Sequence, residues 1–162
     1  MLLAVAGAAL VVIFGARALL KPRPTEEEIV LELVRRLGDA AERRDAKLLR
    51  EHTSERYRDP QGRGKAEIGQ MLSLYFLRPG IINVYVVRSS VDAINKAASP
   101  MSARVSATAL LTRGPRVKKL SDLVPEAARA LRFDVELEKE GDVWRAISAR
   151  WDDAGSVRDY IR

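Results

Sequence analysis

The chain has no cysteine and a single histidine, His52, among its 162 residues. Disulfides, thiol chemistry, cysteine-ligated metals, multi-histidine metal sites and histidine relays are therefore all excluded. There is no phosphate-cradling glycine loop, nucleophile elbow, metal-ligand cluster or dinucleotide fingerprint either; Gly62-Arg63-Gly64 is too short and lies in the wrong context. Neither a metal nor a cofactor is expected. Aromatic residues are sparse, at 6%. Basic residues outnumber acidic ones 28 to 22, giving a formal charge of +6. The arginines are scattered among carboxylates, and the longest basic cluster beyond the first residues is Arg116, Lys118 and Lys119. Binding nucleic acid calls for a basic face with aromatics to stack on bases, so no nucleic-acid partner is expected.

What is present begins with one long apolar run. Met1 to Ala16 carries no charged side chain, and with Arg17 snorkelling the stretch reaches Leu20. Twenty residues at 1.5 Å each match the ~30 Å hydrocarbon core of a bilayer. Lys21, Pro22, Arg23 and Pro24 then stop the helix. Residues 1–20 are read as a single transmembrane anchor, with 21–25 as linker. The small-x-small triplet Ala16-Arg17-Ala18 keeps a cleaved signal open, although no basic residue precedes the apolar run. Arg17, Lys21 and Arg23 lie just after the run, which leans the soluble domain toward the cytoplasm, with a periplasmic or other extracytoplasmic placement not excluded.

The remainder, 47% hydrophobic and 31% charged over the whole chain, has the composition of a folded domain. Thr25 and Glu28 make a capping box. Ile29, Val30, Leu33, Val34, Leu37 and Ala41 come next at helical spacing. A short second helix is expected over Asp45–His52. The turn Asp59-Pro60-Gln61-Gly62-Arg63-Gly64 leads into a third helix, Lys65–Leu77, expected to bury Ile68, Met71, Leu72, Tyr75 and Phe76. Beyond Pro79-Gly80 the period becomes two: Ile82–Val87, Ala103–Thr112 and Leu131–Glu138 alternate apolar and polar residues, and Glu140-Gly141-Asp142 turns into Val143–Trp151. Such alternation implies an antiparallel sheet with one covered face and one wet face. Gly114–Ala128 is expected to be a loop with one helical turn. The fold class is α+β, with three helices packed on a strongly curved sheet in a domain of residues 26–153 and a tail at 154–162.

This order of elements resembles the nuclear transport factor 2-like (SnoaL-like) superfamily. The likeness is carried by the helices of Ile29–His52, by the stretch Tyr57-Arg58-Asp59-Pro60-Gln61-Gly62-Arg63-Gly64-Lys65-Ala66-Glu67-Ile68, and by the hairpin Gly141–Trp151. It implies a cone whose open end holds a pocket and whose sheet face makes dimers. Its members include steroid isomerases, dehydratases, cyclases and binding or scaffold domains, so the fold leaves function open. In the ketosteroid isomerases, the resemblance implies, the aspartate of an Asp-Pro-x-Gly turn is the general base, and Asp59 stands in that position. Their oxyanion-holding tyrosine has no counterpart in Val34–Gly38, and their second acid falls near Phe133 or Asp134.

Asp59 also has a structural reading, as an Asx-turn or a cap of the third helix. Tyr57, two residues earlier, shares its face if the segment is extended. His52, Tyr75 and Trp144 are candidates for lining a ligand pocket. Arg104, Arg150 and Trp151 are candidates for a partner surface, with Trp144 and Trp151 on opposite faces because their separation is odd. Together these residues point to a membrane-tethered, non-catalytic domain that binds a small apolar ligand or assembles with a partner, with a homodimer through the sheet. The alternative is an isomerase or lyase with Asp59 as base, helped by Tyr57. A third is an extracytoplasmic partner of an envelope or secretion assembly.

Overall fold

The computed structural model describes residues 23–77 and 82–161. Among these no helix is long and apolar enough to cross a membrane; the expected anchor, residues 1–20, lies outside them. Three helices come first: α1 (Glu26–Glu42), α2 (Ala46–Glu51) and α3 (Lys65–Phe76). After them come β1 (Ile82–Asn95), β2 (Ser102–Arg113), β3 (Ala128–Glu140) and β4 (Val143–Asp153), an antiparallel meander in sheet order β1-β2-β3-β4. The α+β architecture is as expected. The strands are longer than the strict alternation marked, because β1 runs on through the polar stretch Arg88–Asn95 with two register shifts, and bulges of this kind bend a sheet.

The capping box forms as the sequence predicts. Thr25 Oγ1 accepts from the Glu28 amide at 3.2 Å, and Glu28 Oε2 accepts from the Thr25 amide at 2.7 Å. From that start α1 lays Val30 and Leu33 onto Ala103, Val105, Leu137 and Trp144, the main core. Gly38 brings the helix onto β1: a Cβ there would stand 2.6 Å from Val86 Cγ2. Asp45 caps α2 by accepting from the Leu48 amide at 3.0 Å. After α2 the chain is stitched to the edge of β4, with Ser54 N donating to Ala146 O (2.9 Å), Ala146 N to His52 O (2.8 Å) and Arg58 N to Ile147 O (2.9 Å). This covers an otherwise open strand edge and fixes the segment that carries Tyr57 and Asp59.

Three expectations need correction. Helix α3 buries none of its residues fully; Ile68, Leu72 and Phe76, four apart, form a narrow half-buried stripe, while Met71 and Tyr75 are exposed beside Leu74 and Leu77. The apolar pattern of α3 is wider than the surface it meets. Second, the outer face of the sheet is not wet throughout. Leu110 and Ala130 form a second core there with Leu123 from the β2–β3 connection and Val157 from the C-terminal segment. The connection makes two 3₁₀ turns, Leu120–Asp122 and Pro125–Ala127, and residues 154–161 fold back with a third, Val157–Asp159, instead of trailing away. Third, the register shifts between Glu136 and Leu137, whose partners are Ser148 and Ala146, so that Ile147 is an extra residue in β4. A one-residue bulge inverts the alternation beyond it. Trp151 pairs with Phe133, on the same side of β3 as Leu137, and so shares the helix-covered face with Trp144.

Candidate functional site

Asp59 sits in a loop closed on itself. Its amide donates to Arg63 O at 3.1 Å, the Gly62 amide donates back to Asp59 O at 2.9 Å, and Gly62 takes the left-handed φ of +80° that this reversal requires. The carboxylate points inward with none of its surface exposed. Oδ1 accepts from the amides of Gln61 and Arg63, both at 2.9 Å, and Oδ2 accepts from Arg63 Nε at 2.6 Å. This is the Asx-turn of the structural reading, reinforced by an ion pair. Gly64, not Asp59, occupies the N-cap of α3. Burial pushes the Asp59 carboxyl upward, but the Arg63 amide, the Arg63 guanidinium and the Gln61 amide outweigh it and hold the group below its ordinary value.

Arg63, which the sequence reading did not single out, is the hub of this loop. Beyond Asp59 it donates through Nη2 to Gln61 Oε1 at 2.9 Å, and its guanidinium lies over the Trp151 ring, 5.3 Å from the centroid. Its place four residues after Asp59 across a glycine turn was the available clue. Tyr57 is buried beside them; burial, then the charge of Asp59, pushes its phenol up. Tyr57, Asp59 and Trp151 thus come together. Asp134, the region of the isomerases' second acid, does not join them. It lies on the outer face, held low first by its bond from Arg150 (2.9 Å) and also by Ser106 and Arg132.

Of the pocket candidates, His52 and Trp144 meet at the other end of the domain and Tyr75 does not join them. They line a cleft of ≈ 370 Å³ between the start of α1 and the β3–β4 turn, with Ile29, Leu33 and Val143 as apolar neighbours. His52 Nδ1 lies 2.9 Å from Trp144 O; a carbonyl only accepts, so Nδ1 carries the proton. Trp144 Nε1 donates to Glu26 Oε2 at 3.0 Å, and Lys139 Nζ donates to Glu26 Oε1 at 2.5 Å. Arg104 and Arg150 do share the outer face, paired with Glu136 (3.8 Å) and Asp134; Trp151 is not with them. No group of three or more potential metal ligands occurs among the described residues.

No family model and no curated protein matches the chain. Solved structures do. A candidate aromatic ring hydroxylase from Novosphingobium aromaticivorans superposes with a TM-score of 0.60 at 15% identity, covering 87% of this chain and 100% of that one. A nuclear transport factor 2-like protein of unknown function from Shewanella oneidensis superposes with 0.51 at 15% identity, covering 76% and 96%. Bd1075 of Bdellovibrio bacteriovorus superposes with 0.59 at 13% identity over 76% of this chain; the chain spans 40% of its length. The chain has the nuclear transport factor 2-like fold. At such identities the likeness fixes the fold alone. Within this nuclear transport factor 2-like domain, the Asp59 loop is chemically a closed unit: every acceptor bond described for the carboxylate goes to its own loop. Asp59 and Tyr57 line neither the cleft at His52 and Trp144 nor the one between α2 and α3.

Proposed function

We propose that the chain is a membrane-tethered, non-catalytic domain that binds a ligand or a partner, with residues 1–20 as the tether and the domain on the cytoplasmic side. The observation that carries the non-catalytic reading is the Asp59–Arg63 clamp. A general base working near neutral pH needs a carboxyl raised toward that pH and a free lone pair aimed at the substrate. Asp59 has the opposite: a carboxyl held low, with both oxygens occupied by Arg63 and the loop amides. The cleft at His52 and Trp144 supports the ligand-binding side: Ile29, Leu33 and Val143 line it among charged residues, beside Pro24 of the linker. A homodimer through the sheet would have to desolvate the Arg104–Glu136 and Arg150–Asp134 ion pairs on its outer face.

The competing reading, an isomerase or lyase with Asp59 as base, is favoured by one observation: Asp59 and Tyr57 are buried side by side. It requires Arg63 to swing off the carboxylate when substrate enters. Complementation separates the two. In a strain lacking the chain, Asp59→Asn protein of parental abundance restores the phenotype if the domain only binds; failure at that abundance would favour the enzyme. Deleting residues 1–20 is expected to move the protein from the membrane to the soluble fraction, and an unchanged membrane fraction counts against the tether.

A further inference from the structure

The exposed apolar residues of α3 border a groove that nothing among the described residues fills. It is an open cleft of ≈ 640 Å³ between α2 and α3. Ala66, Gly69, Ser73 and Leu74 line it from α3 and Arg50 from α2. Leu74 is 66% and Leu77 79% exposed, with Met71 and Tyr75 beside them on the helix. Leu74 in the cleft and Leu77 about a turn further along offer an exposed apolar strip that suits an apolar helical stripe.

Charge selects the kind of helix. Acidic side chains around the groove are already engaged: Glu55 with Lys65 (2.8 Å), Glu51 with Lys47 (3.8 Å), Glu67 with the Gly64 amide (3.0 Å) and Asp45 with the Leu48 amide (3.0 Å). Arg50 donates only to Ala46 O, at 3.3 Å, and faces no carboxylate among the described residues. Its stem passes over mid-α3, since a Cβ on Gly69 would stand 3.7 Å from Arg50 Cδ. An acidic helix supplies the missing carboxylate.

We propose that the α2–α3 groove docks an amphipathic helix of another protein, seating its apolar stripe on Leu74 and Leu77 and a carboxylate on Arg50. The groove rests on the binding reading above, yet the two fail separately: that reading falls with Asp59, this one with Arg50 and Gly69. The test uses the full chain in detergent micelles and two fluorescent helical peptides with one leucine stripe, flanked by glutamate in one and by lysine in the other. The glutamate peptide is expected to bind about fivefold more tightly, near the upper end for one ion pair at a rim. Arg50→Glu reverses the preference. Gly69→Leu abolishes binding of both peptides while far-ultraviolet circular dichroism and the melting transition show a folded chain. Equal binding of the peptides, binding that survives Gly69→Leu, self-association dissolved by Leu74→Asp, or Leu77 methyl resonances broadened by spin-labelled lipid added to the micelles would each overturn the proposal.

Discussion

Replacing Gly38 by alanine sets two known effects against each other at one contact. Gly38 lies inside α1, and alanine there returns about 1 kcal/mol of helix propensity. The added Cβ would stand 2.6 Å from Val86 Cγ2, where ordinary contact begins near 3.4 Å. Valine is branched at Cβ and has one preferred χ1 well, so the methyl cannot turn aside without shifting β1 or α1. Overpacking of this kind costs about 1–3 kcal/mol. The clash wins, and the net effect is a loss of about 1 kcal/mol, which lowers Tm by about 3–5 °C in a domain of this size. Val86→Ala removes the obstructing methyl, so on that background Gly38→Ala changes sign and stabilises by up to about 1 kcal/mol. Thermal unfolding of the four variants, monitored by circular dichroism, measures the cycle. If Gly38→Ala stabilises the parent chain, α1 does not approach β1 as described and the seating of the helix on the sheet is wrong.

Leu110 is fully buried under the C-terminal segment, so Leu110→Ala costs about 2–5 kcal/mol. Truncation after Ala154 strips the same core, and urea denaturation of the double variant should show much less than the sum of the two losses. Trp144→Phe keeps an aromatic ring but removes the pyrrole portion and with it the bond from Nε1 to Glu26; a loss of about 1–3 kcal/mol in the same assay is expected, and no loss would mean that the contact is not formed in solution. Gly62→Ala forces a Cβ into the left-handed region at φ +80°, costing about 1–2 kcal/mol although there is open space around it. An unchanged Tm for that variant would contradict the closed Asp59 loop.

Local rules made much of the fold readable before the structure. Thr25 and Glu28 marked the start of α1, and alternation in Leu131–Glu138 marked β3, because a cap and a half-buried strand depend on neighbours in sequence. Trp151 was misplaced for a reason alternation cannot contain: the bulge at Ile147 depends on how β4 registers against β3, and one extra residue turns the ring to the other face. The apolar residues of α3 misled in another way. Ile68, Leu72 and Phe76 differ from Met71 and Tyr75 only in what the rest of the chain sets against them. Residues 154–161 read as a tail because they are too short for a helix or strand of their own, yet Val157 closes the second core with Ala154, Tyr160 and Ile161 packed beside it. At the candidate site, Asp59-Pro60-Gln61-Gly62 signalled a turn and a carboxylate. The partner that sets its chemistry, Arg63, was lost among 21 arginines.

The clamp on Asp59 is tested most directly by the carboxyl's own titration. Carbon-13 chemical shifts of the Asp59 side chain, tracked through the acid range in the intact protein, give its pKa. The direction expected is downward, because Arg63 and two amides stabilise the charged form. A carboxyl held lower in the folded state than in the unfolded chain contributes stability above the unfolded value and loses it as pH falls through the folded one, so Asp59→Asn should remove part of the acid dependence of unfolding. A titration below the usual aspartate range is the predicted result. A titration raised toward neutrality would contradict the account and return Asp59 to the role of a general base.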